Sequence, residues 1–349
     1  MSRRVLITGL SSHWGGRLAQ VLENDPRIET IIGVSPEDPG LELHRTEYVR
    51  IGIQHALLRR IVQAAEVDTV IDARLIVDSA ETDPRVAHEM NVLGTMNILA
   101  ACGGPASPVR KVVFRSSAHY YGCERDDPAF FTEEMHRPHE PRTRLESDIV
   151  EADEAVQGFA ERNREVTVTT LRFPNALGPD LDTVHSRLLS LPVVPGILGF
   201  DPRYQFIHAD DIVGALHHAV ERDLPGVYNV APDGVLALSE VASLLGKRFV
   251  PLLPPWGTAL ATHATGLAGV HIPDEVRRQL RYGRGLDNRR FKASGYRFQL
   301  TTRETVQAFA AELRLKPLRE SGAVPYRYER EVEEFLRWSP SVRRDESGT

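Results

Sequence analysis

The chain has 349 residues, 42% of them hydrophobic, with a formal charge of −6. That length supplies one large core with room for an appended lobe, the interspersed and mildly acidic charge excludes the basic footprint of a nucleic-acid binder, and no apolar run reaches the length of a membrane span. Cys102 and Cys123 stand in neither metal nor redox spacing, and no secretory signal opens the chain, so it reads as a cytoplasmic protein with reduced thiols, no metal, and neither nucleic acid nor membrane among its partners.

In chain order, RVLITG (4–9) is a short apolar run ending in glycine, the pattern of a buried strand. GRLAQVLEN (16–24) has helical spacing, ETIIGVS (29–35) is a second strand, HALLRRIVQAAE (55–66) a helix and VDTVIDAR (67–74) a strand. VAHEMNVLGTMNILAACG (86–103) is a helix with Met90, Leu93, Asn97 and Ala100 along one face, followed by the strand VRKVVFRSS (109–117). LESDIVEADEAVQGFAER (145–162) is a helix and VTVTTLRFP (166–174) a strand. Strands alternating with helices predict a parallel sheet covered on both faces. From 178 to 202 the chain is rich in Pro and Gly; YQFIHADDIVGALHHAVER (204–222) is a strand running into a helix, and PGVYNVA (225–231) a strand. The pattern predicts an α/β fold with residues 1–174 forming one domain, returns to it at 203–231, and a small lobe from 175–202 and 232–320. A helix at 328–338 and a disordered tail complete residues 321–349.

TGLSSHWGG (8–16) closes the first strand. A strand, a glycine turn and a helix gather backbone N–H groups and the positive helix end around a pyrophosphate. Gly9 and Gly15 are spaced for that turn, with Ser11, Ser12, His13 and Trp14 between them, and Ser12 stands where a middle glycine is usual. Taken alone, the loop reads equally as a tight strand–helix turn.

Downstream, NVLGTMNILAA (91–101), FRSSAHYYG (114–122), LRFPNALGP (171–179), FIHADDIVGAL (206–216) and GVYNVAPDG (226–234) follow in order. With the loop, they resemble the extended short-chain dehydrogenase/reductase family, the NAD-dependent sugar-nucleotide epimerases and dehydratases, over about residues 4–315. The resemblance implies a Rossmann doubly wound parallel sheet with a small C-terminal substrate-binding lobe, and a substrate cleft between them. It implies that Asn91 steadies the active-site backbone, that Ser117 hydrogen-bonds the reacting hydroxyl or carbonyl, that Phe173 lies near the nicotinamide, and that Asn175 touches a substrate diphosphate. It also implies a homodimer through the helices at 86–103 and 145–162.

The same resemblance requires a Tyr and a Lys at i and i+4, on one face of the helix after the Ser strand. Leu145 and Ile149 take those slots, and neither Tyr nor Lys occurs between Tyr121 and Arg203. The stripe Leu145, Ile149, Ala152, Val156 and Phe159 reads as a core or dimer-interface face. A proton would have to come from His119, Tyr120, Glu146, Asp148 or water. At the end of the second strand Ser35 replaces the ribose-binding acid, with Glu37 and Asp38 close by and no Arg placed for a 2′-phosphate, so NAD is expected over NADP. Arg74 stands where small residues are usual, able to pair with a phosphate or to form a surface salt bridge, and Arg203 falls one step from the usual substrate-binding arginine, on the opposite strand face. Two readings result: an oxidoreductase or isomerase acting on a nucleotide sugar or a related hydroxyl or carbonyl substrate, with a degenerate site; or a non-catalytic dinucleotide-binding sensor or scaffold.

Overall fold

Short, continuous apolar strands need cover on both faces, and the chain supplies it with helices. The computed structural model describes residues 3–321 apart from 53, 79–81 and 254–271; the helix expected at 328–338 lies outside the described residues. The elements are β1 (Arg3–Thr8), α1 (His13–Glu23), β2 (Ile28–Ser35), β3 (Thr46–Arg50), α2 (His55–Ala64) and β4 (Thr69–Asp72), then α3 (Pro84–His88), joined through a π-turn to α4 (Gly94–Cys102). After these come β5 (Lys111–Ser117), α5 (Arg144–Arg162), β6 (Thr167–Phe173), β7 (Asn175–Leu177), α6 (Val184–Ser190), β8 (Val193–Ile197), β9 (Arg203–Tyr204), β10 (Phe206–His208), α7 (Ala209–Glu221) and β11 (Gly226–Asn229). The chain continues through β12 (Leu236–Ala237), α8 (Leu238–Leu244), β13 (Arg248–Leu253), α9 (Asp274–Tyr282), α10 (Arg289–Ala293) and α11 (Thr302–Ser321). Among the described residues no helix is long and apolar enough to cross a membrane.

One seven-stranded sheet runs β11-β6-β5-β4-β1-β2-β3, with every pair parallel. This is the doubly wound Rossmann order extended by β11, and it places the sheet's reversal point between β1 and β4, where such folds open a ligand crevice at the strand C-termini. One face carries Leu18 and Leu22 of α1 and Ile212 and Leu216 of α7. The other carries α2, α4 and α5, with Leu58, Leu99, Ile149 and Val156 packed on Val70, Val112 and Phe114. A separate core around Leu188, Val194, Phe206, Val241, Leu280 and Val306 builds the lobe, where the two-stranded pairs β7–β10, β9–β12 and β8–β13 lie.

The helix expected at 86–103 carries a π-turn at Glu89–Leu93. Met90, Leu93, Asn97 and Ala100 share its outward, partly or fully exposed face, with Leu93 45% and Met96 43% exposed, while Asn91, Val92, Thr95, Ile98 and Leu99 point inward.

Candidate functional site

Gly9 ends β1 with φ +77°, a conformation that strongly favours glycine. A Cβ on Gly15 would stand 2.2 Å from the Gly9 carbonyl oxygen, so the turn closes only because both positions lack side chains. Ser12 caps α1: its hydroxyl accepts from the Gly15 N–H at 3.1 Å and donates to the Gly9 carbonyl at 2.7 Å. The residue replacing the middle glycine thus spends both of its hydrogen bonds inside the turn.

Above this turn lies a cavity of about 350 Å³, bounded by the C-terminal ends of β4, β5 and β6 and closed by α6 and α9 of the lobe. Ser12, His13, Trp14, Arg74, Ser117 and His119 line it from the sheet side, with Phe173 and Asn175. The structure thereby brings these eight of the residues that the sequence singled out to one cavity.

Several take up other work. The Arg74 stem lies against Gly9, its Cγ 2.4 Å from where a Cβ there would sit. Its guanidinium binds Asp72 through Nε (2.9 Å) and Nη2 (2.8 Å) and also donates to the Met90 carbonyl, so its salt bridge is buried rather than at the surface. Asn91 brackets the backbone of Ile76, accepting from its N–H at 2.7 Å and donating to its carbonyl at 2.8 Å, which fixes the cavity wall after β4.

Five residues lie away from the cavity. Ser35 donates its hydroxyl to the Glu37 carbonyl, closing the turn after β2; Asp38 pairs with Arg50 at 2.5 Å on the surface. Tyr120 packs its ring 3.4 Å from the Arg172 guanidinium carbon. Asp148 binds His88 Nδ1 at 2.8 Å on the far side of α5. Arg203 is exposed while its neighbour Tyr204 is buried against Phe206, as expected when a strand position shifts by one.

Leu145 and Ile149, which the resemblance aligns with the Tyr and Lys positions, are buried. Leu145 is 5% exposed and Ile149 fully buried, both inside the core beneath α4, so the stripe on α5 is a core face rather than a dimer face. Glu146, one residue along, is held by Arg137 and Arg278 at 2.8 Å each; burial opposes its charge, yet these two cations keep its carboxyl below the usual range. His119 reaches the cavity, but burial, reinforced by Arg284 and other cations, holds its imidazole well below the ordinary value. Such a shift disfavours the imidazolium and, with it, proton donation.

Sequence reasoning missed four contributors. Arg115 stands two residues before Ser117 on β5 and lines the cavity; the period of two in a strand was the available signal. Asp153, eight residues beyond Leu145, grips Arg172 and accepts from Ser116 Oγ at 2.5 Å, which anchors the end of β5. His185 and Arg284 come from the lobe; burial pushes His185 to about 4, and Arg284 shares a narrow gap with Asn175 and Gln279. Nothing local in the sequence marks these two.

The chain is 32% identical to the "Uncharacterized protein Rv0501" of Mycobacterium tuberculosis over 321 residues, 90% of this chain and 85% of that one. It is 26% identical over 187 residues to a UDP-glucose 4-epimerase of Mycoplasma genitalium, covering 50% of this chain and 53% of that protein. Among solved structures, MoeE5 in complex with UDP-glucose and NAD superposes with a TM-score of 0.67 at 21% identity, over 90% of this chain and 99% of that one. UDP-glucose 4-epimerase of Thermotoga maritima with UDP-glucose gives 0.66 at 18%, over the same shares; both show the same fold. The model of the NAD dependent epimerase/dehydratase family matches residues 5–231, and the chain belongs to that family.

Proposed function

We propose that the protein binds a nucleotide-class ligand, NAD or a nucleotide sugar, in the cleft between sheet and lobe, and that it does so as a sensor or scaffold without epimerase or dehydratase turnover. Support for the ligand class comes from family membership and from structural neighbours described with NAD and UDP-sugars. The Gly9–Gly15 turn and the cavity over Ser12–Trp14 suit a phosphate-bearing ligand. NAD would supply a hydride acceptor, and here the residues around it would bind and orient rather than exchange protons. NAD is favoured over NADP because the neighbours above are described with NAD; Arg50, at the end of β3 beside Ser35, makes only an exposed pair with Asp38.

One observation carries the loss of chemistry. The two positions that would hold the proton-transferring pair are Leu145 and Ile149, packed in the core. A second reading, turnover through Ser117 with His119 or water, is favoured by both residues lining the cavity. Titration with NAD, NADH, NADP and NADPH, followed by nicotinamide fluorescence, tests binding; incubation with UDP-glucose and UDP-galactose tests turnover. Binding without interconversion is the expected result. Interconversion that disappears in Ser117→Ala establishes the second reading, and no binding of any nucleotide removes both. We further propose a cytoplasmic homodimer, with Val86, Leu93 and Met96 as the exposed apolar positions of the α3–α4 helix.

A further inference from the structure

The cavity holds a charge that the protein does not neutralise. Arg115 is 5% exposed; its Nη1 donates to the Leu75 carbonyl at 2.7 Å, and its guanidinium carbon stands 5.2 Å from the centre of the Trp14 ring. Its Nε is buried and has no hydrogen-bond partner among the described residues, and no carboxylate there forms an ion pair with it. Asp72 acts on it at longer range, but that carboxylate is already gripped by Arg74. Burial lowers its pKa to about 10, which leaves the guanidinium charged at neutral pH.

Its surroundings sharpen the point. Other ionised groups of the cavity wall are engaged: Arg74 with Asp72, Arg187 with Asp182 at 2.9 Å, and Asp78 accepting from the Val184 N–H at 2.8 Å. Beside Arg115, His13 also buries an unpartnered Nε2; burial and Arg17 hold that imidazole below its ordinary value. His13 and Trp14 open α1, the positive end of an 11-residue helix. A buried, unpaired cation is costly, and such a group persists where something else pairs with it. A planar guanidinium with free N–H groups, next to a helix N-terminus, matches a phosphate oxyanion.

We infer that Arg115 anchors a phosphate group of the ligand, so that this cleft recognises its nucleotide through that phosphate. The inference rests on the reading of the cleft as a nucleotide site and adds a specificity-determining residue to it. It makes Arg115 a recognition residue within the cavity rather than a support for the Leu75 backbone.

The test is calorimetric titration of the full chain with UDP, ADP, NAD, uridine and inorganic diphosphate, on wild type, Arg115→Met and Arg115→Lys, with the unliganded Tm of each. Wild type is expected to bind UDP or ADP at least tenfold more tightly than uridine. Inorganic diphosphate is expected to displace the bound nucleotide, a result that needs no variant. Arg115→Met is expected to weaken nucleotide binding by about tenfold or more with an unliganded Tm unchanged or raised, and Arg115→Lys to retain most of the affinity. Equal affinity in wild type and Arg115→Met, or failure of diphosphate to compete, overturns the inference while leaving the cleft a nucleotide site. No binding of UDP, ADP or NAD to wild type overturns both.

Discussion

Asp153 and Arg172 offer a quantitative test of how the end of β5 is held. Arg172 is 1% exposed and Asp153 fully buried. The carboxylate accepts from Arg172 Nη2 at 2.7 Å and Nε at 3.0 Å, from Ser116 Oγ at 2.5 Å and from Gln157 Nε2 at 2.7 Å. The guanidinium also lies 3.4 Å from the centre of the Tyr120 ring and 4.8 Å from that of Tyr121. Burial works against this charge, but Asp153 more than offsets it and holds the arginine firmly protonated. Asp153→Asn leaves the cation buried without its counter-charge, a loss of about 3–5 kcal/mol. At roughly 2–4 °C per kcal/mol, Tm falls by about 6–20 °C. The double variant Asp153→Asn/Arg172→Met removes both charges together, and its destabilisation is expected to be smaller than the sum of the losses in Asp153→Asn and Arg172→Met by at least about 2 kcal/mol. The assay is urea unfolding followed by fluorescence and circular dichroism, with coincident transitions required. A loss under about 1 kcal/mol in Asp153→Asn, or strict additivity in the cycle, refutes the account.

Gly9→Ala should cost about 1–2 kcal/mol from its positive φ, with more from displacing the Arg74 stem, and should abolish nucleotide binding; thermal shift with and without ligand checks both. Ile149→Lys places an ammonium at a fully buried core position and should destabilise by several kcal/mol without creating epimerase activity, read by urea unfolding and UDP-sugar interconversion. His185 is pushed to about 4 by burial and His119 lies well below its ordinary value, so the folded state binds fewer protons than the unfolded chain at mildly acidic pH. Stability is full above about pH 6.5 and falls as pH drops toward 4, with roughly 3 kcal/mol lost through His185; His185→Gln should flatten that slope in urea titrations between pH 7 and 4.5. Leu93→Glu/Met96→Glu should convert the proposed dimer to a monomer in light scattering at micromolar concentration, and a wild-type monomer there refutes the dimer.

The fold was legible because its signals are local. Apolar runs ending at Gly9 and Ser117, helices of regular period and the ordered motifs specify a parallel sheet without any knowledge of contacts. The π-turn at Glu89–Leu93 was not legible, since it leaves no trace in a pattern counted at 3.6 residues per turn. Within the site, backbone-determined features such as the Gly9–Gly15 turn could be read directly. Side chains whose role depends on a distant partner could not. Arg74 is a cation near a phosphate loop until Asp72 is placed beside it, and Tyr120 is a proton donor until Arg172 covers its ring.

The replacements also depend on one another. When a Tyr and a Lys occupy one face of α5, that face must stay open to the cleft; with Leu145 and Ile149 it can seal onto Leu99, Val112 and Phe114, gaining about 1.5–3 kcal/mol for each fully buried aliphatic side chain. Such a sealed face removes the charge that a Lys would bring to the cleft. Arg115, on the strand beneath, brings a positive charge back from the opposite side, beside the α1 N-terminus instead of on α5. On the proposed reading, the cleft keeps its capacity for an anionic ligand while losing its capacity to move a proton. On that reading, two properties that one Lys would couple in a working pair are separated onto different elements of the fold.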